Sequence, residues 1–328
     1  MSGALKPGPG PGAPGGRAAF EKRLGEAWAV RRARFPDEIA FAVPGLVRYE
    51  GAAYANRRES FAAVSVTGAR CALGCDHCRG KLLRGMLPVA DAAELGELAR
   101  ALRRRGCRGI LLTGGCDEGG RVPLGPFLPA VPAMKKLGLA VLAHTGGVGP
   151  HEARALAAAG VDQALLDVVG DRGTARAVYH LDRGLEDDLR SLACLTEAGV
   201  PVAPHVVVGL HYGQLRGEYR AVEAIGRLGA ARLVLVALKP LPGTPMEGVP
   251  APGADEVAAL AAHARVANPE AWISFGCARP YGPDKGALER RLVDAGVNAL
   301  AFPGDETVAY AARRGLRPRF VERCCSLG

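Results

Sequence analysis

The residues best equipped for chemistry lie in ARCALGCDHCRG, residues 69–80, which holds Cys71, Cys75 and Cys78. Three thiols spaced Cys-x3-Cys-x2-Cys can ligate three irons of a [4Fe–4S] cluster and leave the fourth iron without a protein ligand. An open coordination position is how a catalytic metal site admits a substrate or cofactor. A structural zinc site needs a fourth ligand as well. The chain has nine cysteines in all. Cys107, just before a strand, and Cys194, within a helix, read as small buried hydrophobes. Cys116, Cys277, Cys324 and Cys325 fall at strand ends or in the last stretch, RCCSLG. Four thiols on one face suffice for a second iron–sulfur cluster.

Positioning such groups takes a regular scaffold. Short apolar runs occur at 61–67, 108–113, 139–144, 162–167, 202–209, 232–238, 272–276 and 298–303. Helical stretches such as DAAELGELARALRRRG and LEDDLRSLACLTEAG separate most of them. Continuous apolar strands alternating with helices indicate parallel strands buried on both faces. Eight such units predict an α/β fold, a (β/α)8 TIM-type barrel, with a doubly wound open sheet as the alternative. Reactive groups in a barrel sit at the C-terminal ends of the strands, and the loop carrying Cys71 follows the first strand. The predicted organisation is a disordered Pro/Gly-rich segment at 1–17, a helical lead-in at 18–58, the barrel at 59–305 and a C-terminal extension at 306–328. The tail of that extension is expected to cross the barrel mouth.

Of the 328 residues, 48% are hydrophobic and 23% charged, a globular composition. Neither a run of about 18 apolar residues nor a secretory signal pattern is present, which points to a cytoplasmic protein with no membrane partner. The net charge of +9 suits an acidic partner. Aromatics make up only 5% and do not interleave the basic runs, so no nucleic-acid partner is expected.

With His77 in the ring position before the last cysteine, Cys-x3-Cys-x-φ-Cys resembles the signature of the radical S-adenosylmethionine (SAM) superfamily. The resemblance implies that the amino and carboxylate groups of SAM chelate the open iron. It also implies that one electron cleaves SAM to methionine and a 5′-deoxyadenosyl radical, which removes a hydrogen atom from an unactivated carbon. Other positions agree in order along the chain. Gly114 and Gly115 in LLTGG resemble the Gly-Gly stretch whose backbone meets the SAM amino group. Asp167, ending the fourth predicted strand, is similar in position to the ribose-hydroxyl ligand, and Arg183 to the partner of the SAM carboxylate. VVVGLHYGQ, 206–214, resembles the segment that packs the adenine, and LKPLPGTPM, 238–246, a loop of the biotin synthase branch. His144, His205 and His211 lie at strand ends without an assigned role.

The likeness to that branch covers roughly residues 50–305. Biotin synthase's second cluster has no counterpart: the matching positions in GILLT, LAVLAH and VPVAPH carry Leu, Leu and Ala or Pro, and Ser274 replaces an arginine ligand. The tail RCCS resembles the Arg-Ser-Ser-Tyr end of lipoyl synthase, where a serine caps an auxiliary cluster consumed as sulfur donor. The chain thus resembles the paired archaeal-type lipoyl synthase subunits. The implied activity is sulfur insertion into unactivated C–H bonds of a protein-bound octanoyl group, with Cys116, Cys277, Cys324 and Cys325 as ligands of the auxiliary cluster. The implied partners are an acidic lipoyl carrier domain, a sister radical SAM subunit and a reducing carrier such as ferredoxin or flavodoxin. Two other readings stand beside it. One is rearrangement or fragmentation of a small amino acid, which needs only the SAM cluster. The other is a non-catalytic iron–sulfur or zinc protein.

Overall fold

The computed structural model describes residues 16–282 and 284–328. The segment expected to be disordered at 1–17 lies outside them, except for Gly16 and Arg17, which open the helix Gly16–Arg34. Eleven strands form one parallel sheet: β1 (Glu38–Ala42), β2 (Phe61–Ser65), β3 (Leu87–Pro88), β4 (Gly109–Thr113), β5 (Ala140–His144), β6 (Gln163–Asp167), β7 (Val202–Val208), β8 (Arg232–Ala237), β9 (Trp272–Phe275), β10 (Ala299–Ala301) and β11 (Arg317–Val321). Their order is β11-β1-β10-β9-β8-β7-β6-β5-β4-β2-β3. The apolar runs read as strands are β2 and β4 to β10, laid side by side in chain order as a βα wall requires.

Two strands come from outside the predicted barrel. β1 lies in the lead-in expected to be helical and pairs with β10, Ala40 opposite Ala299. β11 comes from the C-terminal extension and pairs with β1, Phe41 opposite Phe320. Pro36 and Pro44 bracket β1 rather than interrupt a helix. Proline removes a ladder donor, so it is tolerated beside a strand or on a sheet edge, where Pro318 of β11 sits. Among the described residues β10 therefore pairs with β1 instead of closing onto β2, and β11 and β3 are the two edges of the ladder.

Side chains alternate across each strand. Ile110, Leu112, Val141, Ala143, Leu233 and Leu235 enter the large core beneath the helices. Phe61, Leu142, Leu165, Ala203, Val234 and Ala301 form a second core with Ala42 and Cys325. Those residues come from both halves of the ladder, so the sheet curls around them as a barrel-like wall with a filled lumen.

Local signals set the helix starts and the barrel base. The N-cap Asp91 accepts a 2.9 Å bond from the Glu94 amide, and Glu94 accepts one of 2.6 Å from the Ala90 amide just before it, which starts the helix Ala92–Arg104. Gly296 has φ +78, and a Cβ there would stand 3.0 Å from the Ala27 carbonyl. Arg265, fully buried, gathers the Gly296 and Ala271 carbonyls at 3.1 and 2.8 Å. Arg31 and Arg279 are buried as well, so part of the positive charge is internal. No described helix is long and apolar enough to cross a membrane.

The tail departs from expectation: it enters the lumen instead of crossing its mouth. After β11, Glu322 accepts from Tyr54 Oη at 2.8 Å and from Arg57 Nε at 2.9 Å. The chain then turns inward. Ser274 Oγ donates to the Cys325 carbonyl at 2.8 Å, and Gln163 Nε2 to the Ser326 carbonyl at 3.2 Å. Ser326 is fully buried.

Candidate radical site and the lumen behind it

The loop after β2 is pinned at both ends. The Ala72 amide donates to the Cys116 carbonyl at 2.8 Å, and Gly115 N donates to Thr67 Oγ1 at 2.7 Å. A Cβ on Gly115 would lie 2.0 Å from the Arg70 carbonyl and 2.6 Å from Cys71 Cβ. Only glycine lets the β4 loop approach the cysteines so closely. Gly114 is looser, 3.0 Å from Thr67 Oγ1 by the same construction. Farther along, Cys78 N and Arg79 N both donate to the Cys75 carbonyl, at 3.1 and 2.8 Å. Asp76 anchors the outer rim: its amide donates to Val178 O at 2.9 Å, and its carboxylate accepts from Tyr212 Oη at 2.7 Å.

These contacts gather the three thiols. The neighbouring Cys78 thiol and burial push Cys75 up, while Cys75 and His77 pull Cys78 down. The His77 ring stands edge-on to Tyr179 at 5.5 Å, and its Nδ1 is buried without a partner. Thiols as soft donors, one held toward the thiolate form, and a glycine-thin wall behind them fit an iron–sulfur cluster. Among the described residues no three His, Cys, Asp or Glu side chains converge on one ion's position. A cluster does not require that, since each iron takes its own thiolate.

Two SAM-contact candidates reach the lumen wall beyond the cysteines. Asp167, at the end of β6, accepts from Tyr179 Oη at 3.0 Å and lies 3.6 Å from His144 Nε2. Burial alone would raise its carboxyl, but His144, His205 and Tyr179 outweigh it and hold Asp167 below the carboxylate range. Its side chain is enclosed by the wall yet keeps 33% exposure, onto the lumen. Arg183 is paired with Asp188 at 2.5 Å, and its Nε is buried without a partner. Burial raises Asp188 to about 6 even so. Arg183 also stands against Gly147, where a Cβ would come within 2.8 Å of Nη1.

The other four candidate ligands do not form one group. Burial, then the charges of Cys71 and Asp167, push Cys116 up to about 12, so it neighbours the cysteine loop. Cys277 and Cys324 instead neighbour each other, and both act on Cys325. Ser326 Oγ donates to Cys324 Sγ at 3.2 Å, and the Cys325 thiol and Ser326 pull Cys324 down to about 6. Cys277 is exposed and Cys324 half-buried, while Cys325 is buried in the inner core. Cys107 is buried as expected, donating to Gly109 O at 3.2 Å. His205, its ring 5.7 Å from that of His144, is lowered to about 4 by burial and the His144 charge.

Leu111, Leu142 and Ala203 line the inner core, and Ser274 holds the tail backbone. Sequence reading missed Thr67, Asp76, Tyr179 and Tyr212. Thr67 had a signal, since it continues the inward alternation of β2 toward LLTGG. The other three are brought together by the π-helix Ala175–Tyr179, closed by His180 at φ +60, and by the 211–212 turn, where Tyr212 adopts φ +49.

No family model matches the chain. It is 26% identical over 255 residues to the biotin synthase of Halorhodospira halophila, covering 72% of this chain and 73% of that one. Among solved structures it is similar to methylornithine synthase, with TM-score 0.63, 14% identity and coverage of 92% and 90% of the two chains. It is also similar to the FeFe-hydrogenase maturase of Carboxydothermus hydrogenoformans, with TM-score 0.66, 17% identity and coverage of 94% and 74%. These likenesses support a place in the radical SAM superfamily, on its biotin synthase-like branch, with the fold shared with methylornithine synthase and the hydrogenase maturase.

Proposed function

We propose that the chain is a sulfur-inserting radical SAM enzyme acting on a protein-bound octanoyl group. The observation that carries this reading is a second set of thiols, Cys324 and Cys325 at the inner core with Cys277 at the end of β9, apart from the Cys71 loop. Cys71, Cys75 and Cys78 hold the SAM cluster; Gly114, Gly115, His77, Asp167 and Arg183 line the SAM site. When bound, the cluster and SAM supply a carbon-centred radical that abstracts a hydrogen atom. The protein's own part is orientation and exclusion of water. The Gly115 backbone closes against Cys71, Asp167 is kept ionised by His144, and Arg183 is ion-paired with Asp188. The three lumen thiols hold an auxiliary cluster as sulfide source. Exposed Arg70, Arg79 and Arg84 around the loop suit an acidic carrier domain. A sister subunit and a ferredoxin or flavodoxin complete the set.

A second reading, rearrangement or fragmentation of a small amino acid, is favoured by the lumen itself. The tail fills its lower part, and His144, Asp167 and His205 make its upper wall polar. Iron and sulfide counts with Mössbauer spectra on anaerobically reconstituted protein separate the two. About four irons per cluster are expected. Sulfur insertion requires that Cys71/Cys75/Cys78→Ala keep one cluster and Cys277/Cys324/Cys325→Ala keep the other. A single cluster in wild type, lost in the first variant, would leave only the amino-acid reading.

A further inference from the structure

Cys116 brings a fourth thiol to a loop that needs three. Its carbonyl accepts from the amide of Ala72, the residue after Cys71. Gly115, one residue earlier, is in backbone contact range of Cys71. Cys71, Gly115 and Cys116 together line an open cleft of about 400 Å³ that also takes in Arg70.

We infer that Cys116 is a displaceable fourth ligand of the SAM cluster. The inference rests on the proposed assignment of Cys71, Cys75 and Cys78 to that cluster. Without SAM, the Cys116 thiol gives its proton to solvent and a sulfur–iron bond forms at the position the loop leaves open. When SAM binds, its amino and carboxylate groups replace that sulfur, and Cys116 takes a proton back. No electron moves, so the exchange is a ligand swap. The iron is thereby covered whenever the cofactor is absent, and SAM must compete for it.

The test uses the full chain carrying Cys277/Cys324/Cys325→Ala, so that any remaining cluster is the one at the loop. In that background Cys116 is compared with Cys116→Ala and, to preserve shape, Cys116→Ser. The SAM-free reduced spectra by electron paramagnetic resonance should differ between Cys116 and both variants and become the same once SAM is added. SAM should bind the variants about tenfold more tightly. Calorimetry in buffers of different ionisation enthalpy should show one proton more taken up on SAM binding by the Cys116 protein. Identical SAM-free spectra, affinities and proton uptake would overturn the inference. Retention of the cluster after Cys71/Cys75/Cys78→Ala in the same background would overturn the assignment beneath it instead.

Discussion

Cys71, Cys75 and Cys78 share one loop, whereas Cys277 meets Cys324 and Cys325 only because a strand and a tail come together. The first group is held by its own loop's backbone bonds to the Cys75 carbonyl, with the loop closed from outside by Gly115, Cys116 and Val178. The second is held by groups spread over the barrel: Glu322 against the β1–β2 segment, Ser274 on β9 and Gln163 on β6. A locally built site tolerates distant damage. A site assembled across the fold loses its geometry when any of several supports fails. Damage to each set of supports should therefore empty one group and spare the other.

The largest effect is expected at Arg279, close after Cys277. It is fully buried, donates to Glu289 at 2.6 Å and to the Ala301 carbonyl at 2.6 Å, and Glu289 in turn receives Thr307 Oγ1 at 2.6 Å. Arg279→Ala removes the buried cation from Glu289, leaving it only the half-exposed Lys285 at 3.5 Å, and should cost about 3–5 kcal/mol in urea unfolding. Next is Gly115→Ala, which forces a Cβ into the Arg70 carbonyl and should cost about 1–3 kcal/mol. Iron counting should show the loop's cluster lost and the lumen's retained; the opposite pattern would break the comparison. Glu322→Ala frees the tail's start and should cost about 2 kcal/mol through its charge-assisted bonds. Its iron loss should fall on the lumen group alone.

The smallest effect concerns pH. His205 is held near 4 in the folded protein, below the ordinary 6.5. Unfolding then takes up a proton, so the stability it contributes is complete above pH 6.5 and lost as pH falls toward 4. His205→Gln should remove about 1–2 kcal/mol of that acid sensitivity, allowing for partial exposure to the lumen. Denaturation midpoints at pH 7 and pH 4.5 check this.

The wall of the barrel was legible because strands buried on both faces are unbroken apolar runs. The cysteine loop was legible because its spacing is local. β1 was not, since EIAFA is short and its flanking prolines look like helix breaks. β11 was not, since RPRFV mixes Pro318 with two arginines, a pattern that only an edge strand accepts. The partner of Cys116 was hidden for another reason. Lying after LLTGG places it at the barrel mouth, but which thiols it meets depends on how the 69–80 loop folds back. The inward path of the tail rests on Ser274 and Gln163, two polar residues in apolar strands with no local signal of what they bind.

Pairing of β1 with β10 and β11 also has a consequence for biosynthesis. Ala40 waits for Ala299, and Glu38 for Arg317, so the first strand made has no ladder partner until nearly all the chain has left the ribosome. Contacts of such long sequence separation form late. Until then the seam beside β10 stands open and the lumen is unplugged. During that interval both groups of cysteines are reachable through the open seam, and pairing of the last strand ends that access.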